Sequence, residues 1–195
     1  MSADSPSDLP VISFPSQTAW TAWLDEHHAT SQGVWLRIAK KGAADPTVSD
    51  QEALEAALCF GWIDGQKRSL DDARWLQRFT PRSPRSRWSK RNTELAKKLE
   101  MQSAMRPAGL REVKLAHADG RWEAAYAGQR TSSVPPDLER ELDRRPQARA
   151  FFESLDSANR YAILYRLAEA KRPDTRARRL EKYVGMLEAG QKIHP

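Results

Sequence analysis

The chain has 195 residues, 39% hydrophobic and 30% charged, with a net charge of +6 and a pI near 9.6. That length suits one domain, or one domain with an appendage, and its seven tryptophans can fill a core. A single cysteine excludes an internal disulfide, and no apolar run nears the roughly 18 residues of a membrane span.

The opening residues, M-S-A-D-S-P-S-D-L-P, have neither the basic nor the apolar region of a secretory signal. The expectation is a cytoplasmic protein. Its basic balance favours anionic partners.

Residues 1–11 read as a flexible tail, polar and broken by Pro6 and Pro10. Val11, Ile12, Ser13 and Phe14 suit a short strand ended by Pro15. Trp20, Trp23, Leu24 and His27 then recur at helical spacing. Past Gly33, Val34, Leu36 and Ile38 alternate with Trp35, Arg37 and Ala39, the period of a strand. Ser49 and Glu52 have the spacing of a capping box. The helix that follows turns Leu54, Ala57 and Leu58 inward, and Gly61 suits its C-terminal end.

Residues 62–70 read as extended, with Trp62, Asp64, Gln66 and Arg68 on one face. Asp71 and Asp72 mark a turn. A second strand covers 74–80, with Trp75, Gln77 and Phe79 on one face and Arg74, Leu76, Arg78 and Thr80 on the other. Pro81 and Pro84 end the pairing. Ser89 then caps a helix to about Gln102, and a short helix follows Pro107, Ala108 and Gly109.

Residues 131–136, T-S-S-V-P-P, read as a linker, and everything beyond them is helical. Leu138 and Leu142 belong to one segment, and Phe151, Phe152 and Leu155 to the next. Asp156 or Ser157 caps a helix with Tyr161, Leu164 and Tyr165. Pro173 and Asp174 open the last helix, which turns Leu180, Tyr183, Val184 and Leu187 inward. Asp174 is placed to cap it and Arg176 to pair locally. The predicted fold class is α+β. An N-terminal mixed α/β layer with a small antiparallel sheet (12–130) precedes a C-terminal helical bundle packed on it (131–195).

Charge is concentrated in one place. Arg74, Arg78, Arg82, Arg85, Arg87, Lys90 and Arg91 lie within residues 74–91 with no acid among them, interleaved with Trp75, Phe79 and Trp88. These seven cations exceed the net charge of +6, so the rest of the chain is slightly acidic. Guanidinium forks suit phosphate or carboxylate. The bland alternative is a solvated rim compensated by Asp64, Asp71 or Asp72, with the aromatics in the core. Cys59, at the end of a helix with no histidine near it in sequence, reads as packing. His27, His28, His117 and His194 show no metal-ligand spacing, and no cofactor is implied.

The segments E-A-L-C-F-G-W-I-D-G-Q-K-R, R-F-T-P-R-S-P-R-S-R-W-S-K-R-N, M-R-P-A-G-L and D-G-R-W-E-A-A-Y resemble the YdeI/OmpD-associated, or bacteriocin-protection, family. So do F-F-E-S-L-D-S-A-N-R-Y and E-A-K-R-P-D-T-R-A-R-R-L, so that the resemblance spans about 12–190. It implies a bacterial protein with a stress or antimicrobial-peptide resistance role. It implies no reaction and no catalytic residue.

Three readings stay open. The first is a small anionic ligand, bearing phosphate or carboxylate, held by Trp62, Asp64, Lys67, Arg68, Arg78, Arg82, Trp88, Ser89 and Asn92. The amides at the start of the Ser89 helix would face the same anion. The second is nucleic acid on the basic surface of residues 74–91. The third is a small enzyme using Asp64 as acid or base.

Overall fold

The computed structural model describes residues 9–129 and 131–194, so the tail expected at 1–11 lies mostly outside them. The chain divides into two compact units, Met1–Ala125 and Tyr126–Pro195.

The first unit runs β1 (Val11–Ile12), α1 (Gln17–His27), β2 (Val34–Ala39), α2 (Asp50–Cys59), β3 (Trp62–Ser69), β4 (Arg74–Pro81), α3 (Lys90–Met101) and α4 (Pro107–Ala118). The sheet order is β1-β2-β4-β3. The three long strands pair antiparallel, and β1 adds a parallel edge that makes the sheet mixed. That strand is shorter than expected. Phe14 leaves the ladder to pack against the core, where its carbonyl accepts from Val48 N (2.9 Å).

Local signals set the helix starts. Ser16 accepts from Ala19 N, the Ser49–Glu52 capping box forms in both directions, and Ser89 accepts from Asn92 N. Phe60 is the C-cap of α2, and Gly61 follows it at φ +74°.

Trp20, Leu24, Leu54, Leu58, Leu95 and Leu99 from the helices meet Val34, Leu36, Ile38, Trp62 and Phe79 from the sheet in one core. Three tryptophans are fully buried; the indole N–H groups of two are satisfied, while that of Trp88 has no hydrogen-bond partner among the described residues. Trp20 donates to Ala53 O and Trp62 to His28 O, each at 3.1 Å. The start of α4 lies against the end of α2, where Arg106 N donates to Cys59 O (3.0 Å). Gly109 permits that approach, because a Cβ there would lie 2.3 Å from Cys59 O.

The second unit contains α5 (Pro136–Arg144), α6 (Pro146–Ser154), α7 (Ser157–Ala168) and α8 (Pro173–Glu188). Leu138, Leu142, Phe152, Leu164, Leu167, Val184 and Leu187 form its core. Asp156, not Ser157, caps α7. Buried Asn159 clamps the chain end: its Oδ1 accepts from Ile193 N and His194 N.

The start of α8 differs from expectation. Arg172 is its N-cap, without a side-chain cap bond, and Asp174 sits in the first turn. Arg176 pairs not locally but with Asp137 of α5, through Nε–Oδ2 (2.5 Å) and Nη2–Oδ1 (2.8 Å). Its Nη1 donates to Leu167 O (2.9 Å).

Gly109→Ala should destabilise the first unit by about 1–3 kcal/mol, because backbone carbonyls rather than flexible side chains block the methyl. Urea unfolding monitored by tryptophan fluorescence measures this. In the second unit, the hydrogen bond from Arg176 holds the Asp137 carboxyl below its usual range. A lowered folded value gives stability that is present above the unfolded pKa of about 3.9 and lost as pH falls through the folded one. Asp137→Asn should cost about 1–2 kcal/mol at pH 7 and flatten the acid limb of the helical unit's stability curve. Urea titrations from pH 7 to 3, followed by far-ultraviolet circular dichroism, measure both.

Candidate functional site

The register of β4 sorts charge from core. Against β2 it pairs Phe79 with Val34, Gln77 with Leu36 and Trp75 with Ile38, all on the core face. The intervening pairs are Arg78 with Trp35, Leu76 with Arg37 and Arg74 with Ala39. Those residues share the outer face, and none belongs to the core cluster.

On the other side of β4, the pairs Asp64–Phe79 and Lys67–Gln77 flank a bulge. Three steps of β3 there span two of β4. Trp62, Asp64 and Lys67 therefore share the core face, and Arg68, paired with Leu76, turns to the outer face. This corrects the expectation that Trp62, Asp64, Gln66 and Arg68 share one side, because the extra residue reverses the alternation beyond it. Gly65 lies in the bulge beside Arg78, whose Cβ would be 3.8 Å from a Cβ added there.

Leu76 thus has Arg37 on one neighbouring strand and Arg68 on the other, with Arg74 and Arg78 along its own. Trp35, opposite Arg78, is only 3% exposed although it lies outside the core cluster. The Arg68 guanidinium covers it, with Cζ 4.4 Å from the ring centroid. Arg74 is compensated by Asp45 (3.2 Å) and Asp71 (4.0 Å). Among the described residues, no carboxylate pairs with Arg37, Arg68 or Arg78. The Nε atoms of Arg37 and Arg78 are buried with no hydrogen-bond partner among those residues. Each such group carries a desolvation cost of about 1–3 kcal/mol.

Comparison with known families gives two matches. Residues 12–112 match a domain of unknown function (DUF8412), and residues 131–190 match the family described as Bacteriocin-protection, YdeI or OmpD-Associated. The chain belongs to the DUF8412 family, and its C-terminal region is similar to the YdeI/OmpD-associated family. The G-W-I-D-G and F-T-P-R motifs fall within the DUF8412 match and the helical motifs within the other. No curated protein and no solved structure matches the chain.

Within the DUF8412 unit the nine residues singled out from sequence occupy three places. Arg68 and Arg78 meet on the outer face. Trp62, Asp64 and Lys67 lie on the opposite face, where Lys67 pairs with Asp50 (3.2 Å) and sits over Trp75 (4.3 Å). Arg82, Trp88, Ser89 and Asn92 form a knot between β4 and α3. There buried Arg82 stacks on buried Trp88 (3.5 Å) and donates to Arg87 O (3.3 Å), and Ser89 caps the helix. Sequence reasoning missed Trp35 and Arg37 as site residues. Their alternation with Val34, Leu36 and Ile38 was the available signal.

A polar cleft of about 390 Å³ opens where the starts of β3 and α4 meet the end of β4, with His28, Gly61, Trp62, Arg82, Arg111 and Glu112 in its walls. Among the described residues, no three His, Cys, Asp or Glu side chains are grouped to hold a metal. No helix among them is long and apolar enough to cross a membrane. Cys59 is buried, and burial pushes its thiol up to about 11. A raised value leaves the neutral thiol at pH 8, so Cys59 should alkylate with iodoacetamide about a hundredfold more slowly than a free cysteine. Mass spectrometry of a quenched time course measures the rate.

Proposed function

We propose that the DUF8412 unit binds a small anion, bearing phosphate or carboxylate, on the outer face of its sheet. Arg37, Arg68 and Arg78 hold it beside Trp35. The observation that supports this best is the pair of buried, unpartnered Nε groups of Arg37 and Arg78, next to a third guanidinium with no carboxylate partner among the described residues. Unpaired like charges raise the energy of the folded chain. A bound oxyanion offers the acceptors and the opposite charge that the fold does not supply.

This reading is one of recognition and assigns no reaction. Asp64 as an acid or base has less support, because it lies across the sheet from the arginines. The resistance role named in the description of the C-terminal family would act through the ligand bound here.

A thermal-shift titration with phosphate, pyrophosphate and citrate tests the proposal on the wild type and on an Arg37→Gln, Arg78→Gln double variant. At a ligand concentration 100 times Kd, the wild type gains about 2.7 kcal/mol, and its Tm rises accordingly. The double variant should lose that rise. Equal shifts in both proteins, or none in either, would contradict anion binding on this face.

A further inference from the structure

We infer that the natural ligand of this face is single-stranded nucleic acid, with phosphates at the arginines of β2 and β4 and a base stacked on Arg68. This rests on the anion-binding reading above, and puts a polymeric anion in place of the small one.

A small molecule gains affinity by being surrounded. Two clefts of this unit are lined by other residues: one runs along His28, Trp62 and Arg111, another along Gln17, Asp25 and Arg106. The arginines instead stand on a pleated sheet face, with Leu76 at their centre. Such a surface grips one phosphate weakly and a chain of phosphates well, because each further contact is made within the same complex.

The dimensions agree. Arg74 and Arg78 lie four residues apart on β4, roughly 13 Å at about 3.3 Å per residue. Arg37 and Arg68 flank Leu76 on adjacent strands, roughly 10 Å apart at about 4.8 Å per strand spacing. The lozenge they outline is wider than one phosphate group. It faces away from the core, on the side where the bulge puts Arg68.

The base is assigned by Arg68. One face of its guanidinium lies on Trp35, 4.4 Å from the ring centroid, and its side chain is exposed. A base that lies on the opposite face of that plane gives a tryptophan–arginine–base stack. Lysine at this position would keep the charge and lose the plane. A duplex keeps its bases stacked inside and offers none to Arg68, so the occupant is a single strand.

Fluorescence anisotropy on the full chain tests this. The probes are a fluorescein-labelled 12-nucleotide single strand of mixed sequence, the blunt duplex of that sequence, and inorganic polyphosphate as competitor. The wild type should bind the single strand more tightly than the duplex. Its affinity should fall with salt at a log–log slope of about −2 to −3, which is three or four contacts at about 0.7 each. Arg68→Lys should weaken single-strand binding about tenfold and leave polyphosphate competition unchanged. The Arg37→Gln, Arg78→Gln double variant should lose both. Urea unfolding confirms that each variant is folded. If polyphosphate binds but the single strand does not, or if Arg68→Lys weakens both equally, the nucleic-acid inference falls and anion binding stands. Duplex bound as tightly as single strand also overturns it. If neither the single strand, polyphosphate nor free phosphate binds, both readings fall.

Discussion

One extra residue in β3 decides which charges meet. Between Asp64 and Lys67 the strand gains a step on β4, and every side chain beyond changes face. Lys67 reaches Asp50 of α2 and the Trp75 ring, and Arg68 goes to the far side and lies on Trp35. Without the bulge Arg68 would point toward the helices, and Trp35 would lose its cover. The position is suited to it, because β3 is an edge strand and disturbs only one ladder.

Carboxylates meet some arginines and not others, and the helical unit also buries an unpartnered Nε, that of Arg160. In the helical unit Arg145 is met by Glu141 and Glu188, Arg149 by Glu139, Asp143 and Glu153, and Arg176 by Asp137. These guanidiniums are compensated within the fold. On the sheet face Arg37 and Arg78 each bury a donor without an acceptor among the described residues, and Arg68 rests on an indole. Uncompensated groups of that kind destabilise a fold and persist where something outside it completes them. The DUF8412 unit can sustain them because its opposite face carries a core built on Trp20, Trp62 and Phe79.

Much of this was legible in the sequence because the signals were local. The Ser49–Glu52 box, the Ser89 cap, Gly61 at a helix end and the two-faced alternation of residues 74–80 each act within a few residues. What failed to show depends on pairing between strands. A bulge is a property of two strands together, so period-two counting placed Arg68 beside Asp64. Trp35 and Arg37 stood in plain alternation, but they became part of a site only through the β2–β4 register. The Arg176–Asp137 pair joins residues 39 positions apart in sequence, which no local motif announces. Arg82, Trp88 and Ser89, expected from sequence to bind a ligand, pack together at the junction between a strand and a helix.

On the anion-binding proposal, the Nε–H groups of Arg37 and Arg78 meet an external anion. Arginine Nε–H resonances report on it directly, in a 1H–15N spectrum of the full chain titrated with phosphate. The signals of Arg37 and Arg78 should move together and saturate, while those of Arg145 and Arg149, already met by carboxylates, stay in place. Movement of all arginine signals in proportion to ionic strength, or no movement of those two, would contradict the account.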